Sequence, residues 1–136
     1  MSDLTIQTNG RGLVDVTARL NDFLQARRAQ HGALLVFIKH TSASIVVTEN
    51  ADPDVLEDLE TWMASAVLDG DRRFLHTAEG PDDMASHIRS VLTQTSLTLP
   101  VTNGALELGT WQGIYVWEHR SRSHTRRLSL RYLPCP

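Results

Sequence analysis

The sequence predicts an α+β domain with about three helices and a largely antiparallel or mixed β-sheet. Segments of strand length outnumber those of helix length, and several strand candidates follow one another without an intervening helix, as antiparallel neighbours do. The chain has 136 residues, of which 41% are hydrophobic and 21% charged, an ordinary globular mixture. A chain of this size buries about two-thirds of its unfolded surface, so we predict one domain over residues 1–136.

The N-terminal part of the chain predicts two strands and a helix. Residues 4–8 alternate between apolar and polar side chains, which is typical of an edge strand, and residues 12–17 indicate a short second strand. Thr17 is suited to cap a helix over residues 18–30, and Gly32 provides a stop signal after it.

Two more strands and a second helix follow. Residues 33–39 contain a continuous apolar run and predict a buried strand, and the β-branched segment 41–48 predicts another. Asp52 and Pro53 mark a helix start, because an acidic N-cap precedes proline at the first helical position. The apolar residues at helical spacing are Val55, Leu59, Trp62, Ala66 and Val67.

The C-terminal half predicts a third helix and a meander of three strands. The helix begins after residues 79–83, and its predicted apolar face consists of Met84, Ala85, Ile88, Val91 and Leu92. The strands cover residues 97–102, 105–118 with a break near Gly109, and 126–133. Asn103-Gly104 predicts a tight hairpin between the first two strands.

Composition excludes several classes of protein. The net charge of -3 does not favour nucleic-acid binding, and no segment approaches the roughly 18 apolar residues of a membrane span. The N-terminal residues lack the pattern of a secretory signal, and the single cysteine, Cys135, cannot form an internal disulfide. We therefore expect a cytoplasmic protein that binds neither nucleic acid nor membrane.

Three of the six histidines occupy positions close to the predicted core. His40 ends the apolar strand, His76 precedes the third helix, and His87 lies at the border of the apolar face of that helix. Each can be a hydrogen-bonded core histidine, but together they suggest a shared site for a divalent metal such as zinc or for acid–base chemistry. No His-x-x-x-His spacing supports the metal, so the ligands would have to converge through the fold.

Glu118 and Arg126 form a second candidate constellation. A turn centred near Arg122 would place them opposite each other across a ladder, either as a surface salt bridge or as a carboxylate holding an arginine that grips phosphate. Five arginines between residues 118 and 131 are either a solvated face or a cluster for a phosphorylated ligand. Gln112 shares a strand face with Glu118, as expected of polar groups lining a pocket.

Ser42 and Ser44 follow His40 closely and are potential nucleophiles. They lack the surrounding Gly-x-Ser-x-Gly elbow, so a hydrogen-bonding role toward ligand or backbone is the favoured interpretation.

Residues 96–114, with the segment Gly109-Thr110-Trp111-Gln112-Gly113, resemble the signature of the YjbQ family, whose members are often described as secondary thiamine-phosphate synthases. The resemblance extends through residues 40–44, 49–50, 52–55, 58–59, 76, 79–84, 87–88 and 117–120. It implies an α+β homotrimer with a secondary ability to join an aminopyrimidine diphosphate to a thiazole phosphate. The family's recurrent polar positions match His40, Glu49, Asn50, Asp58, His87, Gln112, Glu118 and Arg126.

These observations together predict a trimeric enzyme that acts on a small phosphorylated heterocycle with a divalent metal, zinc or magnesium. His40 and His87 would be metal ligands or proton donors, with His76 as a further ligand; Glu118 would orient Arg126 or join the metal shell. The predicted substrate-binding residues are Ser42, Ser44, Asn50, Gln112 and Arg126. The alternatives are a metal-dependent hydrolase and a non-catalytic trimer that binds small molecules.

Overall fold

The computed structural model describes residues 2–136 and confirms the predicted α+β class and the predicted order of helices and strands. The elements are β1 (Ser2–Gln7), β2 (Gly12–Asp15), α1 (Thr17–Ala26), β3 (Gly32–Ile38), β4 (Ala43–Glu49), α2 (Pro53–Ala66), α3 (Asp83–Leu92), β5 (Ser96–Thr102), β6 (Ala105–Leu106), β7 (Gln112–Glu118) and β8 (Thr125–Pro134).

The described strands form two antiparallel sheets, and the predicted C-terminal meander is wrong. The first sheet has the order β1-β8-β3-β5-β6, and the second has the order β2-β7-β4. Strand β7 is buried from Gly113 to Glu118, so it needs cover on both faces and lies in the centre of the second sheet. Strand β8 returns to the first sheet between β1 and β3.

The main core lies between the two sheets, and helices α2 and α3 cover the outer face of the second sheet. Ile114 and Val116 of β7 belong to the core that includes Leu34 and Leu128 of the first sheet. Trp117, on the opposite face of β7, packs with a separate cluster of Met63, Val67 and Ala85. The alternation of β7 therefore serves two cores at once.

Helix α1 begins and ends earlier than predicted. Thr17 is the first residue of the helix, and Val16 occupies the cap position. The Thr17 Oγ1 does not cap the helix but accepts a hydrogen bond from the Ile114 N–H at 2.8 Å. The helix ends at Ala26 because Arg28 adopts a left-handed conformation with φ of 53°.

Strand β3 is covered on one face only, whereas its continuous apolar sequence predicted full burial. Leu34, Val36 and Ile38 face the core, but Phe37 is 44% exposed. Among the described residues, Phe37 belongs to neither of the two buried hydrophobic clusters.

Helix α3 follows the predicted apolar face only in part: Ala85 is buried and Ile88 packs against the Trp117 cluster, but other positions depart from the prediction. Val91 is 84% exposed, while Asp83, Ser86 and Arg89 are buried. The buried polar groups have partners: the Ser86 hydroxyl bonds to the Asp82 and His119 carbonyls, and Arg89 donates to Glu60. Hydrogen bonding to distant segments thus overrides hydrophobic periodicity in this helix.

Two predicted local motifs are confirmed. The Asp52 carboxylate accepts a hydrogen bond from the Asp54 N–H at 2.9 Å and caps α2. Asn103 and Gly104 both have positive φ and join β5 to β6 as a tight turn. Helix α2, with 14 residues the longest in the described part of the chain, is too short to cross a membrane, as are the others.

Candidate functional site

Two imidazoles approach one carboxylate oxygen at the start of α3. The His76 Nε2 lies 2.7 Å and the His87 Nε2 lies 3.0 Å from the Asp83 Oδ2. Asp83 is buried, His87 is half-buried and His76 is exposed. The three ligand atoms all lie within 4.8 Å of one another, an arrangement able to hold a metal ion.

The orientation of the His87 ring determines which of its nitrogens faces Asp83. Its Nδ1 lies 2.9 Å from the Thr41 carbonyl oxygen, which can only accept, so Nδ1 carries a proton. In a neutral ring the Nε2 lone pair then faces the Asp83 carboxylate. A second ring proton or a cation is required between them. Two imidazole nitrogens and a carboxylate oxygen are ligands typical of zinc rather than magnesium, and a carbonyl-bound Nδ1 is the usual support of a metal-binding histidine.

Arg120 holds the other side of the same carboxylate. Its Nη1 donates to the Asp83 Oδ1 at 2.8 Å, and its Nε donates to the Asp82 Oδ2 at 2.9 Å. Burial raises the pKa of Asp83, but the hydrogen bond with His76 and the charges of His87 and Arg120 lower that pKa further, so the net shift is downward. Asp83 therefore stays ionised and able to bind a cation.

A cavity of about 540 Å³ adjoins this cluster through His87. The residues that line it are His40, Thr41, His87, Ser90, Val91, Thr93 and Thr95. No lysine, arginine, aspartate or glutamate is among them. The cavity therefore offers hydroxyl, imidazole and apolar surface, and this set suits an uncharged ring.

His40 lies in this cavity but outside the cluster of His76, Asp83 and His87. Its Nε2 accepts a hydrogen bond from the Arg127 N–H at 2.8 Å. Burial and the charge of Arg126 lower the pKa of His40 more than Glu118 raises it, so the ring is neutral at pH 7. In the part of the chain that the structure describes, Asp83 takes the place beside His76 and His87 that the sequence analysis gave to His40.

Glu118 and Arg126 are in contact, but they are not neighbours on one ladder. Glu118 belongs to the second sheet and Arg126 to the first, and their side chains meet between the sheets because each faces the core. The Arg126 Nε donates to Oε1 at 2.9 Å, and Nη2 donates to Oε2. The pair is buried, so the first of the two alternatives, a surface salt bridge, is excluded.

The Glu118 carboxylate is saturated by donors. Besides Arg126, it accepts hydrogen bonds from the Thr8 hydroxyl at 2.6 Å and the Arg120 N–H at 3.2 Å. Burial raises the pKa of Glu118, but these hydrogen bonds lower it further, so the net shift is downward. Within the described residues, Glu118 is not part of the cluster of His76, Asp83 and His87.

Ser42 and Ser44 hydrogen-bond to other protein groups. The Arg126 Nη2 donates to the Ser42 Oγ at 3.0 Å, and the Ser44 Oγ lies 2.8 Å from the Nε2 of His119. Ser44 has no exposed surface, so it cannot attack a substrate. The serine–histidine contact involves His119, a residue that the sequence analysis did not select, and not His40.

Asn50 and Gln112 lie at the far end of the second sheet. The register pairs Glu49 with Gln112 at one end and Ala43 with Glu118 at the other. Six residues of extended strand separate these ends by about 20 Å. The Asn50 Nδ2 donates to the Gln112 carbonyl at 3.3 Å, and this pair lies away from the cavity that contains His87.

Comparison with known proteins identifies the family. A family model described as UPF0047 protein YjbQ-like matches residues 2–134. The chain belongs to this family. A UPF0047 protein from Synechocystis sp. (strain ATCC 27184 / PCC 6803 / Kazusa) is 47% identical over 125 residues, which are 92% of this chain and 85% of that protein. UPF0047 protein YjbQ of Escherichia coli O157:H7 is 42% identical over 126 residues, 92% of this chain and 91% of that protein.

Solved structures share the fold of this UPF0047 chain. A conserved hypothetical protein from Thermus thermophilus has a TM-score of 0.88 at 28% identity, covering 98% of this chain and 100% of that one. A YjbQ/UPF0047 family protein from Clostridium acetobutylicum, described as uncharacterized, has a TM-score of 0.86 at 27% identity, with coverage of 98% and 100%. The predicted family is therefore confirmed, and these relatives have no stated activity.

Asp83 and Arg120 of this UPF0047 chain were not among the predicted site residues. The spacing of Asp83 and His87, four residues apart, places a carboxylate and an imidazole on one helix face and was available as a signal. Arg120 lies 37 residues from Asp83 in the sequence, so no local sequence pattern predicts their contact.

Proposed function

We propose that this UPF0047 chain is a divalent-metal-dependent enzyme that forms thiamine phosphate from an aminopyrimidine diphosphate and a thiazole phosphate. The convergence of the His76 and His87 Nε2 atoms on the Asp83 Oδ2, beside a cavity that His87 also lines, is the observation that supports it. In this reaction the bond between the pyrimidine methylene carbon and the pyrophosphate oxygen breaks. The thiazole nitrogen supplies the electron pair for the new carbon–nitrogen bond.

His76, Asp83 and His87 would hold the cation. When bound, a divalent cation neutralises negative charge that develops on a departing pyrophosphate. Asp83 keeps one oxygen free for that role because Arg120 binds the other, and the Thr41 carbonyl fixes the tautomer of His87. These contacts hold the ligands in place before the substrate arrives.

The cavity would hold the heterocyclic part of the substrate. Val91 provides apolar surface, and Ser90, Thr93 and Thr95 provide small side chains, all without a formal charge. Holding a ring beside the cation-binding cluster of His76, Asp83 and His87 orients it for attack, and such positioning accounts for much of the catalysis when no covalent intermediate is needed.

We assign His40 and Arg126 different roles. His40 accepts at Nε2, so its Nδ1 carries the ring proton and is the nitrogen free to donate to a ligand in the cavity. Arg126 gives its Nε and Nη2 to Glu118 and Ser42, so it acts in this proposal by positioning Ser42 and not by gripping phosphate.

Hydrolysis is the second candidate. Two histidines and one carboxylate with room for further ligands are also the ligand set of zinc hydrolases, in which water attacks instead of a thiazole nitrogen. A chain that releases phosphate or pyrophosphate from the diphosphate without needing the thiazole supports this alternative.

Assembly and location complete the proposal. The family resemblance implies a homotrimer, and exposed Trp62 and Leu75 supply apolar surface for contacts between copies. Sedimentation equilibrium at micromolar concentration is expected to give three times the chain mass of 15.2 kDa; a monomer contradicts this part.

A single cysteine suits the reducing cytoplasm, and cell fractionation that places the protein elsewhere contradicts that location.

The decisive experiment mixes metal-stripped protein with both substrates and adds zinc, cobalt, manganese or magnesium in turn. Thiamine phosphate and pyrophosphate are expected in equal amounts, only with metal present. Asp83→Asn and His87→Ala should reduce the rate at least about 100-fold, because each removes or weakens a ligand of the cation, and loss of an outer-shell partner alone costs about 10–100-fold. His31→Ala, at an exposed histidine outside the site, is the control. Product formation by the Asp83 and His87 variants at the native rate refutes the proposal.

A further inference from the structure

We infer that Arg120 is the positioning residue of the cation-binding cluster, an inference that rests on the metal site of the proposed function. Arg120 does not approach the cation position itself. It determines where the Asp83 carboxylate and the segment that follows His76 lie.

The contact with Arg120 gives the two oxygens of the Asp83 carboxylate different partners. The Arg120 Nη1 donates to Oδ1 at 2.8 Å, and Oδ2 is left facing the His76 and His87 rings. Asp83 and Arg120 are only 2% and 7% exposed. Water therefore has little access to replace this contact, and the rotation of the carboxylate depends on the guanidinium.

The other guanidinium nitrogens bind the segment between His76 and α3. The Arg120 Nη2 donates to the Glu79 carbonyl at 3.1 Å, and Nε donates to the Asp82 Oδ2 at 2.9 Å. One planar group thus contacts three points of residues 79–83. The compact ammonium of lysine cannot present donors in this fixed fork.

The net charge of Arg120, Asp82 and Asp83 favours a cation at the Asp83 Oδ2. Arg120 contributes one positive charge, while Asp82 and Asp83 contribute two negative charges. Asp82 also accepts from the Ser121 N–H at 3.0 Å and hydroxyl at 3.1 Å, which holds it in place on Arg120. The group retains one negative charge, and Oδ2 directs it toward the imidazoles.

The test measures cobalt binding to metal-free protein by titration, with the visible spectrum of bound cobalt as a second readout. Arg120→Lys keeps the charge but removes the fork, so we expect about 10–100-fold weaker binding and a changed spectrum. Arg89→Lys is the matched control: Arg89 is equally buried, lies on α3 and binds Glu60 instead of Asp83. Its cobalt affinity should stay within about twofold of native.

A second variant covers the case in which Arg120→Lys does not fold. Asp82→Asn weakens the hydrogen bond that holds the Arg120 guanidinium and leaves the imidazoles unchanged. Asp71→Asn is its control: it also removes one negative charge near His76, but Asp71 binds Arg73 and not Arg120. We expect Asp82→Asn to weaken cobalt binding clearly more than Asp71→Asn does.

The outcomes separate the two proposals. A native protein that does not bind cobalt removes the metal site, and this inference with it. Native binding that is matched by folded Arg120→Lys, in affinity and in spectrum, overturns the inference alone and leaves the metal site standing. If only Asp82→Asn folds, an effect no larger than that of Asp71→Asn overturns the inference.

Discussion

Glu118 and Arg126 join the two sheets of this chain through a buried ion pair. The carboxylate comes from the end of β7 and the guanidinium from β8, and the two residues are 0% and 3% exposed. Because the pair lies between sheets, it stabilises the sandwich and the position of Ser42 together.

Glu118→Gln should destabilise the chain by about 3–5 kcal/mol, because it leaves the Arg126 charge buried without its partner. Urea unfolding followed by tryptophan fluorescence measures this loss. Lys39→Ala, which breaks the exposed Lys39–Asp3 pair, is the control and should change the urea midpoint far less. Equal effects of the two substitutions would show that the Glu118–Arg126 pair contributes no more than a surface contact.

Stability should fall as the pH decreases below neutrality, in part because of His119. Burial, together with the charges of Arg89, Arg11 and Arg126, lowers the pKa of His119 from 6.5 to about 3. Above pH 6.5 the ring is neutral in the folded and unfolded chain alike. Below it, the unfolded chain binds a proton that the folded chain excludes, so the free energy of unfolding falls by up to about 1.4 kcal/mol per pH unit.

Urea titrations between pH 7 and pH 5 in the presence of a chelator test this dependence. His119→Gln removes the titrating ring and should flatten the slope, while His31→Gln, at an exposed histidine, should keep it. At lower pH, Asp82, Asp83 and Glu118 add to the loss, because the pKa of each lies below its ordinary value and protonation favours the unfolded chain. An unchanged slope in His119→Gln excludes His119 as the source.

Helix caps and tight turns could be predicted from the sequence because each is determined by the side chain or backbone conformation of one or two residues. The Asp52 cap and the Asn103-Gly104 turn are examples: each depends on a hydrogen bond or a φ angle within its own few residues. Strand partners depend on burial of the whole chain, so β7 and β8, which look like neighbours in sequence, could not be assigned to different sheets.

The residues of the candidate site were predictable only where their local position or spacing in the sequence indicates them. His76 and His87 were selected as near-core histidines, and the Asp83–His87 spacing could have added the carboxylate. Hydrophobic periodicity placed Val91 on the buried face of α3, although the helix buries Arg89 and Ser86 instead. Those burials depend on partners such as Glu60 and the His119 carbonyl, which only the folded chain supplies.

Gly104→Ala should destabilise the chain by about 1–3 kcal/mol, the range for a non-glycine residue forced into a left-handed conformation. Gly104 has φ of 81°, and a Cβ there would lie 2.9 Å from the Ala29 carbonyl oxygen. Thermal unfolding measures the change. Gly109→Ala is the comparison, because its φ is not in that region and the three atoms nearest to its Cβ would all belong to the Gln112 side chain. A Gly104 variant as stable as the Gly109 variant would mean that the turn adapts at no cost.

Filling the cavity should separate substrate binding from metal binding. Thr95 lines the cavity but does not belong to the cation-binding cluster, and its side chain is exposed. Thr95→Trp should therefore raise KM for the aminopyrimidine diphosphate at least about tenfold, corresponding to about 1.4 kcal/mol of lost binding, while cobalt affinity stays at the native level. Steady-state kinetics and cobalt titration on the same preparation make the comparison.

Thr98→Trp is the matched control for the cavity, because Thr98 is an exposed threonine on β5 that does not line it. Its KM and its cobalt affinity should both be native. A Thr95 variant with native KM would show that the substrate does not enter this cavity. A variant that loses cobalt together with substrate would mean that the bulky side chain disturbs His87, and Thr95→Val would then distinguish an effect of size from one of the hydroxyl group.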